Sequence, residues 1–231
     1  PPSGGRAMRI LVLNQYFHPD RSATSQLLTE LCEDVALAHD VTVVTGRPSY
    51  DPAYPVSSRG LVSKERHRRV KVARVWSTQF DRSAGMAGRV SNYATYLGSS
   101  VLGALRADRP DIVLALTDPP PIGLIGLGLA TLWRAPFVLV SKDVFPEVAV
   151  VLGHLSDRRL IGALRRLSRA LFRSADRVVS IGRDMDARLL ERGVPRHRIS
   201  TIHDWADGSV VRPLDGPSVL RAEHGWDDRF V

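Results

Sequence analysis

The feature that most constrains this chain lies between Met8 and Gly46. Residues 10–13 form a short unbroken apolar run, and residues 41–44 repeat it after an amphipathic stretch. Runs without polar alternation read as strands covered on both faces. Between them Leu27, Leu28, Leu31, Val35 and Ala38 recur at helical spacing, with Glu30, Glu33 and Asp34 elsewhere on the circumference. The spacing therefore predicts a helix with one buried face. Strand, helix and strand in that order make a βαβ unit, which commits the chain to a parallel sheet with right-handed crossovers.

The same alternation continues. Residues 70–76 read as a third strand with a hairpin before it near residues 60–62, and residues 111–116, 136–140, 176–181 and 199–202 as four more. Helical spacing runs through residues 85–107, a glycine-punctuated segment at 122–133, a short piece near 147–152, a basic segment at 158–173, and 182–191. The predicted class is α/β: a doubly wound parallel sheet of about seven strands with helices on both faces.

Sheets of this kind bind ligands beyond the carboxyl ends of their strands, so the loops there carry the functional signal. A dinucleotide-binding domain places a Gly-x-Gly-x-x-Gly turn after its first strand and an acidic residue after its second. Here residues 14–24 contain no glycine and the second strand leads into Thr45-Gly46-Arg47, which argues against a nicotinamide or flavin site. Ser22, Ala23 and Thr24 open the first helix with small residues whose N–H groups can meet a phosphate; an ordinary serine or threonine cap explains them equally well. Pro48, Tyr50, Pro52, Tyr54 and Pro55 mark an extended irregular loop suited to a lid. The fifth strand exits through Lys142, Asp143 and Glu147, stiffened by Pro146, which together make a good polar site. A strand-end cap accounts for Asp143 as well. Asp184-Met185-Asp186 resembles a metal-binding pair, but the acids fall in a first helical turn, where the dipole alone favours them. Two carboxylates fall short of a coordination shell, so no metal is expected.

With 231 residues, 24% charged and 44% apolar, the chain has the composition of a globular protein with a sizeable core. No apolar run reaches membrane-spanning length. Cys32 is the single cysteine and lies on the apolar face of the first helix, which fits core filler and a reducing cytoplasm. The net charge of +8 is carried by arginine, since Lys64, Lys71 and Lys142 are the only lysines; codon composition is one source of such an excess. Along the basic segment Leu160, Ile161, Leu164, Leu167 and Leu171 form one stripe, and Arg158, Arg165, Arg166, Arg169 and Arg173 occupy the other side. This is either a surface helix packed on the sheet or a helix facing anionic lipid, at about 1 kcal/mol per basic residue. The basic runs lack interleaved aromatics and nucleic-acid-binding spacings, so nucleic acid is not an expected partner.

Several stretches, in order, are similar to the amino-terminal domain of family 4 retaining glycosyltransferases of GT-B architecture, in the bacterial surface-polysaccharide branch that resembles fucosamine transferases. They are Leu13-Asn-Gln-Tyr-Phe-His-Pro-Asp20, Val41-Thr-Val-Val-Thr-Gly-Arg-Pro48, Val70-Lys-Val-Ala-Arg-Val-Trp76, Asp111-Ile-Val, Ala135-Pro-Phe-Val, Lys142-Asp-Val-Phe-Pro-Glu147 followed by Ala149-Val-Val-Leu-Gly153, Ala175-Asp-Arg-Val-Val-Ser180, Arg192-Gly-Val-Pro195 and Arg212-Pro-Leu214. The resemblance implies the first of two Rossmann-like lobes. Residues 1–7 would be a leader, 8–215 the acceptor-side lobe, and 216–231 a linker and the start of the donor lobe, so this piece alone should not catalyse. It further implies a sugar- or acceptor-handling role for Asp143 and Lys142, with Glu147 and His18 beside them. Tyr16, Tyr50, Tyr54, Thr117 and Asp118 would shape an acceptor pocket, and Ser22, Ala23 and Thr24 would face donor phosphates. The implied partners are a nucleotide sugar and a lipid-linked or saccharide acceptor, without metal or other cofactor, in the cytoplasm and at the inner face of the cell membrane. A non-catalytic nucleotide or sugar-phosphate binding module is the alternative reading of such a fold.

Overall fold

The computed structural model describes residues 6–48, 60–80, 85–151, 153, 156–209, 211–216 and 218–226. Tyr50, Tyr54 and the expected donor-lobe start at 227–231 therefore lie outside the described residues, as does most of the 1–7 leader. The elements follow as β1 (Arg9–Leu13), α1 (Ala23–Val35), β2 (Asp40–Thr45), β3 (Val62–His67), β4 (Val70–Val75), α2 (Gly85–Leu105), β5 (Ile112–Leu116), α3 (Ile122–Trp133), β6 (Phe137–Val140), α4 (Glu147–Val151), α5 (Arg158–Ser174), β7 (Arg177–Ser180), α6 (Arg183–Glu191), β8 (Ile199–Thr201) and α7 (Val219–His224).

One eight-stranded sheet runs β3-β4-β2-β1-β5-β6-β7-β8. Every neighbouring pair is parallel except β3–β4, where Val62 faces Val75 and His67 faces Val70 in an antiparallel hairpin. The hairpin foreseen near residues 60–62 is thus a full strand, giving eight strands rather than seven. Its sequence, Val-Ser-Lys-Glu-Arg-His, carries the charges that protect an exposed edge.

Successive side chains divide between the two faces. Val12, Val41, Val43, Val70 and Val72 join Leu28 and Cys32 of α1, whereas Leu11, Leu13, Val44, Val113, Ala115, Phe137 and Leu139 face α2, α3, α5 and α6. Cys32 is buried, and burial pushes its thiol up to about 12, so it acts as core filler rather than as a nucleophile.

The glycines of α3 have a packing cause. A Cβ on Gly126 would lie 2.8 Å from the Phe137 ring and 3.1 Å from Ala115, and one on Gly123 would lie 2.8 Å from Leu171. Their absence lets α3 sit close to β5, β6 and α5. Gly128, on the outer side, has nothing within 4 Å. Overpacking leads us to expect Gly126→Val to destabilise the fold by about 1–3 kcal/mol. Gly128→Ala, which removes only backbone freedom, should stabilise it by roughly 0.5–1 kcal/mol. Urea unfolding of both variants checks the contrast.

Candidate functional site

The chain moves outward from β1 to β2 and β4 on one side and from β5 to β8 on the other, so β1 and β5 flank the topological switch point. The loops leaving the strands there are joined by main-chain bonds. The Gln15 carbonyl accepts from the Gly46 N–H at 3.0 Å and from Thr45 Oγ1 at 2.9 Å, while the Gln15 N–H donates to the Asp118 carbonyl at 3.1 Å. A Cβ on Gly46 would lie 3.0 Å from the Gln15 oxygen, which explains a glycine there. Further along, buried Thr117 accepts through Oγ1 from the N–H groups of Lys142 at 3.0 Å and Asp143 at 3.3 Å. The β1, β2, β5 and β6 exits therefore form one continuous rim.

Asp118 and Asp143 both stand on this rim, near enough for the charge of one to act on the other. Burial, and then the charge of Asp143, push the Asp118 carboxyl up to about 6. Below them Tyr96 of α2 is fully buried, and burial together with the charges of Asp118 and Tyr16 raises its hydroxyl pKa. Tyr96 Oη, Asn14 Oδ1 and Gln15 Oε1 are buried without a hydrogen-bond partner among the described residues. Asp143 is exposed and also lines a concavity of about 850 Å³ between the β6 and β7 exits, together with Lys142, Glu147, Arg183, Asp184 and His203.

The residues singled out in the sequence are not all brought together. Thr117, Asp118, Lys142, Asp143 and Tyr16 belong to the rim, with Lys142 ion-paired to Asp204. Glu147 sits in the first turn of α4, bonded by Arg165 at 3.2 Å and by Arg192. His18 is separate from this group. Its ring stacks on His67 of the edge strand at 4.0 Å, its N–H donates to Thr29 Oγ1 at 3.1 Å, and its carbonyl accepts from Arg74. Five strand spacings, on the order of 24 Å, lie between β3 and β6. The His18 turn is thus held against β3 and β4, whereas Asp143 follows β6. Ser22 caps α1 by accepting the Ser25 N–H at 3.1 Å, Ala23 is exposed and Thr24 half-buried.

Asp186 has a structural explanation. It is buried and accepts from Ser180, from Thr201 at 2.7 Å and from Arg196 at 2.9 Å, and these bonds, that to Ser180 foremost, hold its pKa below the usual carboxylate range. Among the described residues no group of three or more His, Cys, Asp or Glu could hold a metal. On α5, Arg158, Arg165, Arg166, Arg169 and Arg173 are all exposed, while Ile161, Ser168, Leu171 and Phe172 are buried.

Three contributors escaped the sequence reading. Arg74 is 3% exposed and binds Glu65 at 2.7 Å, the Gly46 carbonyl at 3.3 Å and the His18 carbonyl. Its signal was available, because in Val70-Lys-Val-Ala-Arg74 it shares the face of Val70 and Val72. Tyr96 lies among the small buried residues of α2 and carries no sequence signal of its own. Trp205 donates through Nε1 to Glu30 Oε2 at 2.7 Å, so the segment after β8 crosses the tips of β7 and β6 to reach α1.

An open α/β sheet with polar strand exits gathered at its switch point is the architecture of a ligand-binding domain. The comparisons place it further. Residues 22–205 match the glycosyl transferase 4-like domain, and the chain belongs to that family. Over 134 residues it is 38% identical to a probable glycosyltransferase, WbjE, of Pseudomonas aeruginosa, a stretch that is 54% of this chain and 32% of that protein. Its fold is similar to Anabaena HepE solved with UDP and glucose (TM-score 0.55, 17% identity, covering 94% of this chain and 50% of HepE). Sucrose-phosphate synthase of Thermosynechococcus elongatus is also similar (TM-score 0.53, 13% identity, covering 94% of this chain and 52% of that one). These neighbours are GT-B glycosyltransferases, and the chain has the fold of a family 4 GT-B amino-terminal domain. It spans about half the length of those structures and a third of the curated relative.

Because the folded protein holds the Asp118 proton more tightly than the unfolded chain, stability should fall as pH rises from the ordinary carboxyl range through about 6. Asp118→Asn removes that loss. Denaturant unfolding should find the variant more stable than wild type by about 2 kcal/mol more at pH 7.5 than at pH 4.

Proposed function

We propose that this chain is the acceptor-side domain of a retaining glycosyltransferase that moves a hexose-type sugar from a nucleotide sugar to a lipid-linked or saccharide acceptor. The observation that carries the reading is the Asp118–Asp143 pair on the switch-point rim of a glycosyl transferase 4-like domain. HepE, a neighbour in fold, has been solved with UDP-glucose, which makes that the first donor to try.

In this scheme Asp143, open to solvent, accepts hydrogen bonds from acceptor hydroxyls. Asp118, kept partly protonated near neutrality, donates a hydrogen bond or exchanges a proton with the hydroxyl that attacks. Lys142 and Thr117 hold the loop in place, and Tyr16 borders the pocket. His18 takes no part. The N–H groups at Ser22, Ala23 and Thr24 remain the place where donor phosphates approach α1. The test is transfer by the full-length protein from labelled nucleotide sugars, beginning with UDP-glucose, with the product anomer read by NMR. Asp143→Asn and Asp118→Asn should each lower kcat on the order of 100-fold with folding intact; unchanged rates would remove the pair from the mechanism.

No helix among the described residues is long and apolar enough to cross a membrane. The exposed arginines of α5 support attachment to the inner face of the membrane by charge. Co-sedimentation should favour anionic over neutral vesicles, weaken with salt, and fall in Arg158→Ala/Arg166→Ala/Arg173→Ala. Equal sedimentation with both vesicle types would exclude the attachment.

A further inference from the structure

A second depression opens from Asp143 on the side away from the large concavity. It is a narrow cleft of about 80 Å³ between the start of α3, the β6–α4 loop and α5, walled by Pro120, Pro121, Leu124, Leu164, Leu167 and Phe172. The apolar surface continues outward, since Leu160 and Leu167 of α5 are 48% and 47% exposed.

A basic cluster lies on this cleft. The Arg192 guanidinium sits 5.6 Å from the centre of the Phe172 ring, and donates to the Phe145 carbonyl at 3.1 Å and to Ser168 Oγ at 2.6 Å, all three being residues of the cleft wall. Glu147 is the acid that pairs with Arg192 and Arg165. Arg169 completes the cluster and makes no ion pair among the described residues. Two of the three guanidiniums thus share one carboxylate, and the third adds an unpaired charge beside them. Arg192 registers the excess, its pKa being lowered by burial and also by Arg165 and Arg169, against the opposing pull of Glu147. An apolar slot bordered by a net positive charge suits a ligand with a hydrocarbon chain on an anionic head.

We propose that this cleft is a lipid-phosphate site: the first carbons of the chain lie among Leu124, Leu164, Leu167 and Phe172, the phosphate faces Arg165, Arg169 and Arg192, and the group beyond the phosphate points to Asp143. The proposal rests on the transferase reading above and selects the lipid-linked acceptor within it. It also gives Arg192 a task beyond closing α6. The exposed Arg165 and Arg169 hold the phosphate by charge and hydrogen bonds, Arg192 adds its charge from behind, and the cleft measures the chain by exclusion of water.

The test is calorimetric titration of the full-length protein with farnesyl phosphate, farnesol and inorganic phosphate, each kept below micelle-forming concentration. Farnesyl phosphate should bind at least about tenfold more tightly than either of the others, because both halves of the site contribute. Leu167→Asp and Arg165→Ala/Arg169→Ala, changes at exposed positions, should each weaken it by about tenfold. Equal affinity for farnesyl phosphate and inorganic phosphate, or unaltered affinity in either variant, would overturn the proposal. So would binding to anionic vesicles with none to soluble farnesyl phosphate, which identifies a bilayer surface instead of a site. Sugar transfer to a soluble saccharide without farnesyl phosphate binding refutes this site alone. Binding in a protein that turns over no nucleotide sugar upholds the site and removes the transferase reading.

Discussion

The main chain of Gln15 is the constraint on which the rim depends. Its carbonyl serves two donors from the β2 exit and its N–H serves the β5 exit. Buried backbone polar groups must find partners, and where a sheet splays apart at its switch point the usual ladder no longer supplies them. One residue joins both halves of the sheet at the position where ligands enter such folds. Thr117 extends the same logic to β6, and the polar residues of the site stand on loops that are fastened rather than free.

Charge is then distributed so that each buried or crowded group has a reason. Arg74 lies almost wholly inside and is tolerable because a carboxylate and two carbonyls surround it. Asp186 is held by three donors that tie α6 to β7 and β8. Asp118 and the Arg192 cluster differ: one is a carboxyl beside another acid, the other a set of cations beside a single acid. Perturbed groups concentrate where proteins meet ligands, and both lie near Asp143.

Much of this architecture was readable beforehand. The apolar runs at residues 10–13, 41–44 and 111–116 could only be covered strands, and their order with the intervening helices determined a doubly wound sheet. That Asp118, Lys142 and Asp143 stand on one rim follows because topology puts the strand exits there. β3 was seen only as a hairpin beginning, since Lys64, Glu65 and Arg66 hide a strand signal that the β4 ladder supplies. The surroundings of His18 are hidden from the sequence for a similar reason. It occupies a strand exit in sequence, but Thr29, His67 and Arg74, all distant along the chain, decide where its ring rests. Arg192, a helix-ending residue by pattern, acquires its neighbours from α4 and α5.

The bond between Trp205 and Glu30 spans 175 positions of sequence. Closing so long a loop is entropically slow and must await nearly all of the domain. On a ribosome, α1 emerges early and the segment that crosses the β6 and β7 tips emerges late. The rim is therefore assembled in the order of synthesis, and its last wall is latched only after the sheet beneath it has formed.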